Sequence, residues 1–339
     1  MSTYGRPTLS VIIPVYNGGV KFTMCLQHLA ASTVAPEEVI VVSDGDSDGS
    51  WRVAEQFGAR VMRIPTPEGP ARARNLGART AKGDILFFFD ADVTIPQDAI
   101  GRIVDTFQHH PDMAALFGSY DDEPFESNFL SQYKNLFHHY VHQTARKEAS
   151  TFWSGCGAIR REVFMAMGGF DEGYRQPAIE DIDLGYRLRK AGHRIRLLKA
   201  LQVKHLKRWE CMSLLKADIL YRALPWTDLI LEEGRFVDDL NTTRSNRLSV
   251  MYTFVLISAL IGSLWTPWLL VLAGVCMTGL LVLNRGLYRF FWEIRGFRFA
   301  AMAIVWHWIY FFYSGLTFAI GFIKYYGKKA RRSRSVPVE

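Results

Sequence analysis

Short apolar runs alternate with segments of helical spacing in the N-terminal part of the chain. The runs are rich in Ile, Val, Leu and Phe, as buried strands are, and fall at 9–13, 38–42, 60–64, 85–89 and 114–120. Between them, apolar residues recur every three or four positions, which predicts helices packed on a sheet. Strand and helix in alternation predict an α/β fold, with a doubly wound sheet and right-handed crossovers.

The run at 85–89 leads directly into two carboxylates, Asp90 and Asp92. Alternate residues on a continuing strand share a face, so both would enter the crevice at the strand ends, where open parallel sheets bind ligands. Two carboxylates that lie close together stay ionised only when a cation neutralises them. The pair therefore predicts Mg²⁺ or Mn²⁺ shared with substrate phosphates, and a surface turn with two solvated aspartates is the alternative.

A second acidic group, Glu180, Asp181 and Asp183, stands at the beginning of a predicted helix. Capping and the helix dipole account for Glu180. They account less well for the other two, because acids so close in sequence repel one another unless a cation is nearby or a proton is handled there.

Two other segments have the composition of ligand contacts. Cations and an indole follow a strand at 205–209 (HLKRW), a set that suits a diphosphate or a stacked sugar. In 153–157 (WSGCG), small residues allow close approach of backbone to a ligand, although they also simply make turns. The aromatic segment 125–141 is accompanied by His138, His139 and His142. These histidines are either a metal cluster or incidental residues of an aromatic helix near the membrane.

Glycine loops that cradle phosphates are missing after the first strand, since neither G-x-G-x-x-G nor G-x-x-x-x-G-K occurs there. Their absence argues against a Rossmann dehydrogenase and against a P-loop NTPase. Bound phosphates would then be held by the metal at Asp92.

Two stretches in the C-terminal part are almost free of charge. Residues 248–283 contain no Lys, Arg, Asp, Glu or His, and 299–323 contain one His. The first would be ~54 Å long as one helix, against a hydrocarbon core of ~30 Å, and Thr266-Pro267 divides it. We therefore expect spans at about 248–264, 267–283 and 299–323, with an interfacial helix at 285–298 that carries four Arg.

The net charge of +7 follows largely from basic clusters at 285–298 and in a tail at 328–339. Such clusters favour anionic lipid head groups, and nucleic acid is the weaker interpretation. The positive-inside rule would place both clusters in the cytoplasm, which three crossings do not allow, so the number of crossings stays open. Because the four Cys show no paired spacing and the N-terminus no signal pattern, we expect 1–240 to be a cytoplasmic domain and 241–327 a multi-pass domain of the cytoplasmic membrane.

Several motifs, in this order, resemble those of the family 2 glycosyltransferases, whose catalytic domain has the GT-A fold. They are 14–17 (PVYN), the acidic loop at Asp44, 73–77 (ARNLG), 90–92 (DAD), 168–171 (GGFD) and 180–181 (ED), within roughly residues 8–210. Two departures are clear. Ser43-Asp44 replaces the family's paired Asp, and His205 replaces the Gln of the Gln-x-x-Arg-Trp motif of polysaccharide synthases, whereas Arg208-Trp209 matches it.

The resemblance implies a role for individual residues. The donor, a UDP- or GDP-sugar, would be bound by Pro14, Tyr16, Asp44, Arg74, Asp90 and Ala91. Asp92 would bind the metal, and His205 would be a second ligand, part of the acceptor floor or a structural His. Asp181 would be the catalytic base of an inverting transfer. The diphosphate or the acceptor would contact Gly155, Glu180, Lys207, Arg208 and Trp209.

These expectations favour a membrane-anchored inverting glycosyltransferase with a lipid-linked acceptor: polyprenyl phosphate, a polyprenyl-linked glycan or a glycolipid. A processive polysaccharide synthase is the alternative, favoured by Arg208-Trp209 and disfavoured by the few spans, none of which precedes the catalytic domain. A catalytically dead membrane scaffold is the third hypothesis, disfavoured because both acidic groups are retained.

Overall fold

The computed structural model describes residues 5–234 and 240–334. The chain forms two compact units, Met1–Trp209 and Glu210–Glu339. This division falls before the predicted boundary at residue 240, because 211–233 group with the helices that follow; Tyr313 Oη, for example, donates to Asp218 Oδ2 at 2.8 Å. The end of the predicted basic tail, 335–339, lies outside the described residues.

The first unit is built on a mixed β-sheet. Its strands are β1 (Leu9–Val15), β2 (Glu38–Asp44), β3 (Arg60–Ile64), β4 (Ile85–Phe89), β5 (Val93–Thr94), β6 (Met113–Tyr120), β7 (Glu148–Ala149), β8 (Cys156–Arg160) and β9 (Arg194–His205). The order is β3-β2-β1-β4-β8-β6-β9-β5, with β7 paired to β9. Strands β1 to β4 pair in parallel, whereas β8 runs antiparallel between β4 and β6.

Helices cover both faces of this sheet. They are α1 (Gly19–Ala30), α2 (Ser50–Gln56), α3 (Pro70–Thr80), α4 (Ala99–His109), α5 (Phe129–Thr144), α6 (Arg161–Ala166) and α7 (Glu180–Lys190). Strand β4 is buried on both faces, since Phe87 and Phe89 belong to one hydrophobic cluster and Leu86 and Phe88 to the other. A strand packed in this way is fixed in position, so the polar residues that follow Phe89 emerge at a defined place on the sheet edge.

The second unit is helical. Its elements are α8 (Cys211–Lys216), a π-helix (Ala217–Ala223), α9 (Leu224–Glu233), a 3₁₀ turn (Leu240–Thr242), α10 (Arg244–Gly262), α11 (Leu269–Leu283) and α12 (Arg285–Arg334). Within α12 the helical geometry is broken at Gly296, which has φ 80° and ψ 173°. Two helices, Arg244–Gly262 and Arg285–Ala330, are long and apolar enough to cross a membrane, and Leu269–Leu283 is a shorter apolar helix. The break at Gly296 lies inside the predicted interfacial segment, 285–298, close to its C-terminal end. The position of the span predicted after it, 299–323, in a membrane stays a prediction.

Candidate active site

The predicted donor residues lie where neighbouring parallel strands end. Pro14 and Tyr16 are at the end of β1, Asp44 ends β2, and Asp90 follows β4. Tyr16 is 58% exposed, so its side chain is accessible to a ligand. Asp44 is buried, and its two oxygens accept the backbone N–H groups of Glu68 and Gly69, each at 2.8 Å. Contacts of these residues with a donor stay predictions.

Asp90 and Asp92 do not lie on a continuing strand, so the prediction that they share a strand face is wrong. Strand β4 ends at Phe89, and residues 90–92 turn into β5. Strand β9 holds this turn, because Val93 pairs with His205 and the backbone N–H of Leu206 donates to Asp92 O at 2.8 Å. Each carboxylate therefore has a partner of its own: Arg74 for Asp90, and His205 for Asp92.

Arg74 connects the two acidic motifs. Its guanidinium donates to Asp90 Oδ1 at 2.6 Å and to Glu180 Oε1 at 2.9 Å. The Arg74 side chain is 4% exposed and that of Glu180 5%. Burial lowers the pKa of Arg74, but the negative charges of Asp90, Glu180 and Asp181 outweigh this effect and raise it. Arg74, predicted as a donor contact, is therefore a buried cation shared by two carboxylates.

The GGFD motif fastens α3 to the loop that leads into α7. Asn75 Nδ2 donates to Phe170 O at 2.8 Å, and Phe170 N donates to Asn75 Oδ1 at 2.9 Å. Gly169 has φ 74°, and a Cβ there would lie 2.5 Å from Asn75 Oδ1. On α7, Arg187 donates to Gly169 O and to Asp183 Oδ2, both at 2.8 Å. Asp183 is thus held in an ion pair with Arg187. Asp181 has no such partner among the described residues of α7 and is the better candidate of the two for proton transfer.

Asp181 is half-buried at the first turn of α7. Ser154 donates to Asp181 Oδ2 from its backbone N at 3.0 Å and from its hydroxyl at 3.2 Å, and Ile182 N donates to Oδ1 at 2.8 Å. Burial, and next the charge of Glu180, raise the pKa of Asp181 to about 6, although the donors and Arg74 act in the opposite direction. A carboxylate with this pKa can take up a proton near neutral pH.

The contact between Ser154 and Asp181 was not predicted from the sequence. The available signal was the small-residue loop 153–157, in which Gly155 was assigned to the diphosphate or acceptor. A Cβ at Gly155 would lie 2.7 Å from the Trp153 ring, so glycine is required there for the indole to fold over the backbone. The loop therefore places Ser154 on Asp181, and a ligand contact at Gly155 stays a prediction.

Asp92 and His205 form a pair suited to a metal ion. Asp92 Oδ2 lies 3.6 Å from His205 Nε2. Burial acts to raise the pKa of Asp92, but His205 and Lys207 outweigh burial and lower it. A carboxylate oxygen and an imidazole nitrogen are ligands that Mn²⁺ accepts. Within residues 5–234 and 240–334 no group of three or more His, Cys, Asp or Glu is placed to hold a metal, so substrate phosphates would have to complete the coordination.

The residues after His205 are held against α5. Trp209 is buried, its N donates to Ser131 Oγ at 2.7 Å, and its O accepts from Asn128 Nδ2 at 2.8 Å. Lys207 Nζ lies 4.5 Å from the centre of the Trp209 ring, and Arg208 lies 3.6 Å from Glu126. The indole therefore supports Lys207, and the predicted contacts of this segment with a diphosphate or acceptor stay predictions.

Two of the three histidines of α5 contact the backbone of strand β6, and His138 packs against the ring of Tyr120. His139 Nδ1 lies 2.8 Å from Tyr120 O, and His142 Nδ1 lies 3.1 Å from Gly118 O. Burial lowers the pKa of His142 to about 4, so this ring is neutral near pH 7. Since the described residues place no metal-binding group here, the structure favours the interpretation of these histidines as packing residues.

Comparison with known proteins agrees with this architecture. The family described as "Glycosyl transferase family 2" matches residues 10–168, and "N-terminal domain of galactosyltransferase" matches 135–210. A glycosyltransferase of Haemophilus influenzae is 28% identical over 194 residues, which are 53% of this chain and 61% of that protein. Glycosyltransferase GlyG of Streptococcus pneumoniae is 27% identical over 126 residues, 36% of this chain and 42% of that protein. The chain thus spans less than two thirds of either relative.

Solved structures share the fold. The mannosyltransferase PcManGT from Pyrobaculum calidifontis, in complex with GDP-Man and Mn²⁺, superposes with a TM-score of 0.51 at 16% identity, covering 96% of this chain and 89% of that one. Residues 1–349 of S. aureus TarS, in complex with UDP-GlcNAc, give a TM-score of 0.51 at 21% identity, covering 67% of this chain and 66% of that one.

The mixed sheet has the GT-A fold of these solved structures, and the family match and the relatives make the protein a glycosyltransferase. More specifically, residues 10–168 are a domain of glycosyltransferase family 2.

Proposed function

We propose that this protein is an inverting, metal-dependent glycosyltransferase that moves a sugar from a UDP- or GDP-sugar to a lipid-linked acceptor. The observation that carries the proposal is the arrangement around Arg74. One buried cation binds the first acid of each motif, Asp90 and Glu180, and the second acids, Asp92 and Asp181, have other partners. The donors named in the complexes of PcManGT and TarS, GDP-Man and UDP-GlcNAc, are both nucleoside diphosphate sugars.

Asp181 would act as the base. It takes the proton of the acceptor hydroxyl as that oxygen forms a bond to the anomeric carbon, while the bond from this carbon to the diphosphate oxygen breaks. Attack opposite the leaving nucleoside diphosphate inverts the anomeric centre. Asp92 and His205 would hold Mn²⁺ or Mg²⁺, which when bound neutralises charge on the departing diphosphate. Lys207 lies in the same segment as His205 and would contribute positive charge.

The raised pKa of Asp181 favours a hydroxyl acceptor among the lipid-linked candidates. A hydroxyl must lose a proton during transfer, whereas a phosphate oxygen is already anionic and needs no strong base. A polyprenyl-linked glycan or a glycolipid therefore fits the site better than polyprenyl phosphate. The apolar helices that follow the catalytic domain in the chain support a membrane substrate. We propose a multi-pass anchor with the catalytic domain in the cytoplasm, where the basic clusters would also lie.

The test is transfer of label by membranes that contain the full chain. The membranes are incubated with Mn²⁺ or Mg²⁺ and a panel of labelled UDP- and GDP-sugars, and then extracted into organic solvent. We expect label in the organic phase from one donor, with the anomeric configuration inverted in the product. An aqueous ladder of polymer lengths would instead establish a processive synthase, the reaction that Arg208-Trp209 favours.

Two variants of the same helix control this test. Asp181→Asn removes the base and should lose transfer. Asp183→Asn changes a neighbouring acid that pairs with Arg187 and should retain most of it. Equal transfer by the wild type and Asp181→Asn would contradict the assignment of the base.

A further inference from the structure

The His205 imidazole has an aromatic partner on one of its faces. The ring of Tyr120 lies parallel to it, with 4.6 Å between centroids and 6° between planes. The sheet sets this contact, because β6 and β9 pair in parallel with Tyr120 opposite Val203, two residues before His205. Tyr120 is 8% exposed, so its ring has little freedom to turn away.

Other rings hold Tyr120 in turn. His138 lies 4.4 Å from it, and Trp153 meets it edge to face at 4.9 Å and 88°. His139 Nδ1, 2.8 Å from Tyr120 O, fixes the backbone of the same residue. Tyr120 is therefore packed between the helix α5, the loop at Trp153 and His205, and it presents a rigid surface to the imidazole.

We propose that Tyr120 is a positioning residue for the metal site, which fixes the plane of the His205 ring so that Nε2 is directed to the same point as the Asp92 carboxylate. The proposal rests on the metal site of the proposed function. An imidazole ligand must be oriented by its surroundings, commonly through a hydrogen bond to its second nitrogen. At His205 the stacked phenol ring limits rotation of the side chain.

The same contacts also connect the proposed metal pair, Asp92 and His205, to the proposed base, Asp181. Trp153, which supports Tyr120, is followed by Ser154, which donates twice to Asp181. One loop thus supports the ring behind His205 and binds the carboxylate of Asp181.

The experiment measures Mn²⁺ affinity, separately from transfer. Full-length protein in detergent is titrated with Mn²⁺ at constant UDP, and then at constant GDP, and free Mn²⁺ is followed by electron paramagnetic resonance against a titration of the nucleotide alone. Tyr120→Leu removes the planar ring and should weaken Mn²⁺ binding by about 10- to 100-fold, the usual effect of losing a group that orients a ligand. Tyr120→Phe keeps the ring and should restore affinity to within about threefold of the wild type.

A matched control removes a stacked ring elsewhere in the same unit. Tyr133 is 2% exposed and stacks on Phe137 at 5.8 Å and 6°, so Tyr133→Leu should leave Mn²⁺ affinity unchanged. If Tyr120→Leu does not fold, Tyr120→Met, which fills space without a planar ring, takes its place.

The outcomes separate the two levels of the proposal. Equal Mn²⁺ affinity in the wild type and Tyr120→Leu overturns the role of Tyr120 and leaves the metal site intact. No uptake of Mn²⁺ by the wild type with either nucleotide overturns the metal site itself, and the role of Tyr120 with it. Loss of affinity in Tyr120→Phe as large as in Tyr120→Leu would assign the effect to the hydroxyl and also overturn the stacking role.

Discussion

The two acidic motifs, at 90–92 and 180–181, are alike in composition and differ in environment. In each, the first acid binds Arg74, at 2.6 Å for Asp90 and 2.9 Å for Glu180. The second acids then diverge. Asp92 faces the imidazole of His205, and His205 and Lys207 lower its pKa. Asp181 is surrounded by Ser154 and the like charge of Glu180, and burial raises its pKa to about 6.

In the proposed function, this difference suits the two motifs to different tasks. A carboxylate with a low pKa stays ionised and suits a cation, whereas one with a raised pKa suits the uptake of a proton. The shared Arg74 keeps both motifs at one place without making them equivalent. Residue type alone therefore does not define the role of an acid in this site; its neighbours do.

The largest effect is expected from Asp92→Ala, which removes the carboxylate of the proposed metal site. Mn²⁺-dependent binding of UDP or GDP, measured by calorimetry, should be lost, and transfer with it. Asp98→Ala, which removes an exposed acid paired with Arg102, is the control and should bind as the wild type does. Unchanged nucleotide binding by Asp92→Ala would mean that the metal is held elsewhere.

Asp181→Asn should distinguish the role of the second acidic motif from that of the first most clearly. We expect kcat to fall by about 10²- to 10⁴-fold, as for loss of a general base, while the Kd for nucleotide with Mn²⁺ stays the same. Transfer rate and nucleotide binding are measured on one preparation, with Asp183→Asn as control. A variant that loses nucleotide binding along with turnover would place Asp181 in the donor site and remove the distinction.

Arg74→Met tests the connection between the motifs. It leaves Glu180 buried without its cation, which should reduce the free energy of unfolding by about 3–5 kcal/mol. The control on the same helix is Arg79→Met. Arg79 is 53% exposed and pairs with Glu172 at 3.3 Å, so its loss should cost less than about 1 kcal/mol. Denaturation of the two variants is followed by circular dichroism. Equal free energies of unfolding for Arg74→Met and Arg79→Met would contradict the account.

The sequence predicted the parallel part of the sheet well. Strands β1 to β4 are short apolar runs whose periodicity is local, and they pair in parallel as an alternation of strand and helix predicts. The positions of Asp44 and Asp90 at strand ends followed from the same pattern. The pattern of apolar residues does not predict which strands lie next to each other when they are far apart in the chain. Strand β8, for example, inserts antiparallel between β4 and β6.

The same limit applies to the site. The acidic residues were predictable because each motif is contiguous in sequence. Arg74 was found through its motif, but its link to Glu180, 106 positions away, depends on tertiary packing. Ser154 and Tyr120 had no signal of their own, since a small residue in a loop and a Tyr at the end of a strand are ordinary.

The pH dependence of transfer tests the contrast between the two acids most directly. Asp181 must be ionised to accept a proton, and its pKa is raised to about 6, so activity should be lost as the pH falls below this value. We predict that kcat/KM of the wild type is level above about pH 7 and falls by about tenfold per pH unit below pH 6. The residual activity of Asp181→Asn should lack this fall. A wild-type profile that stays level from pH 7 to pH 5, or an Asp181→Asn profile that falls in parallel, would contradict the account.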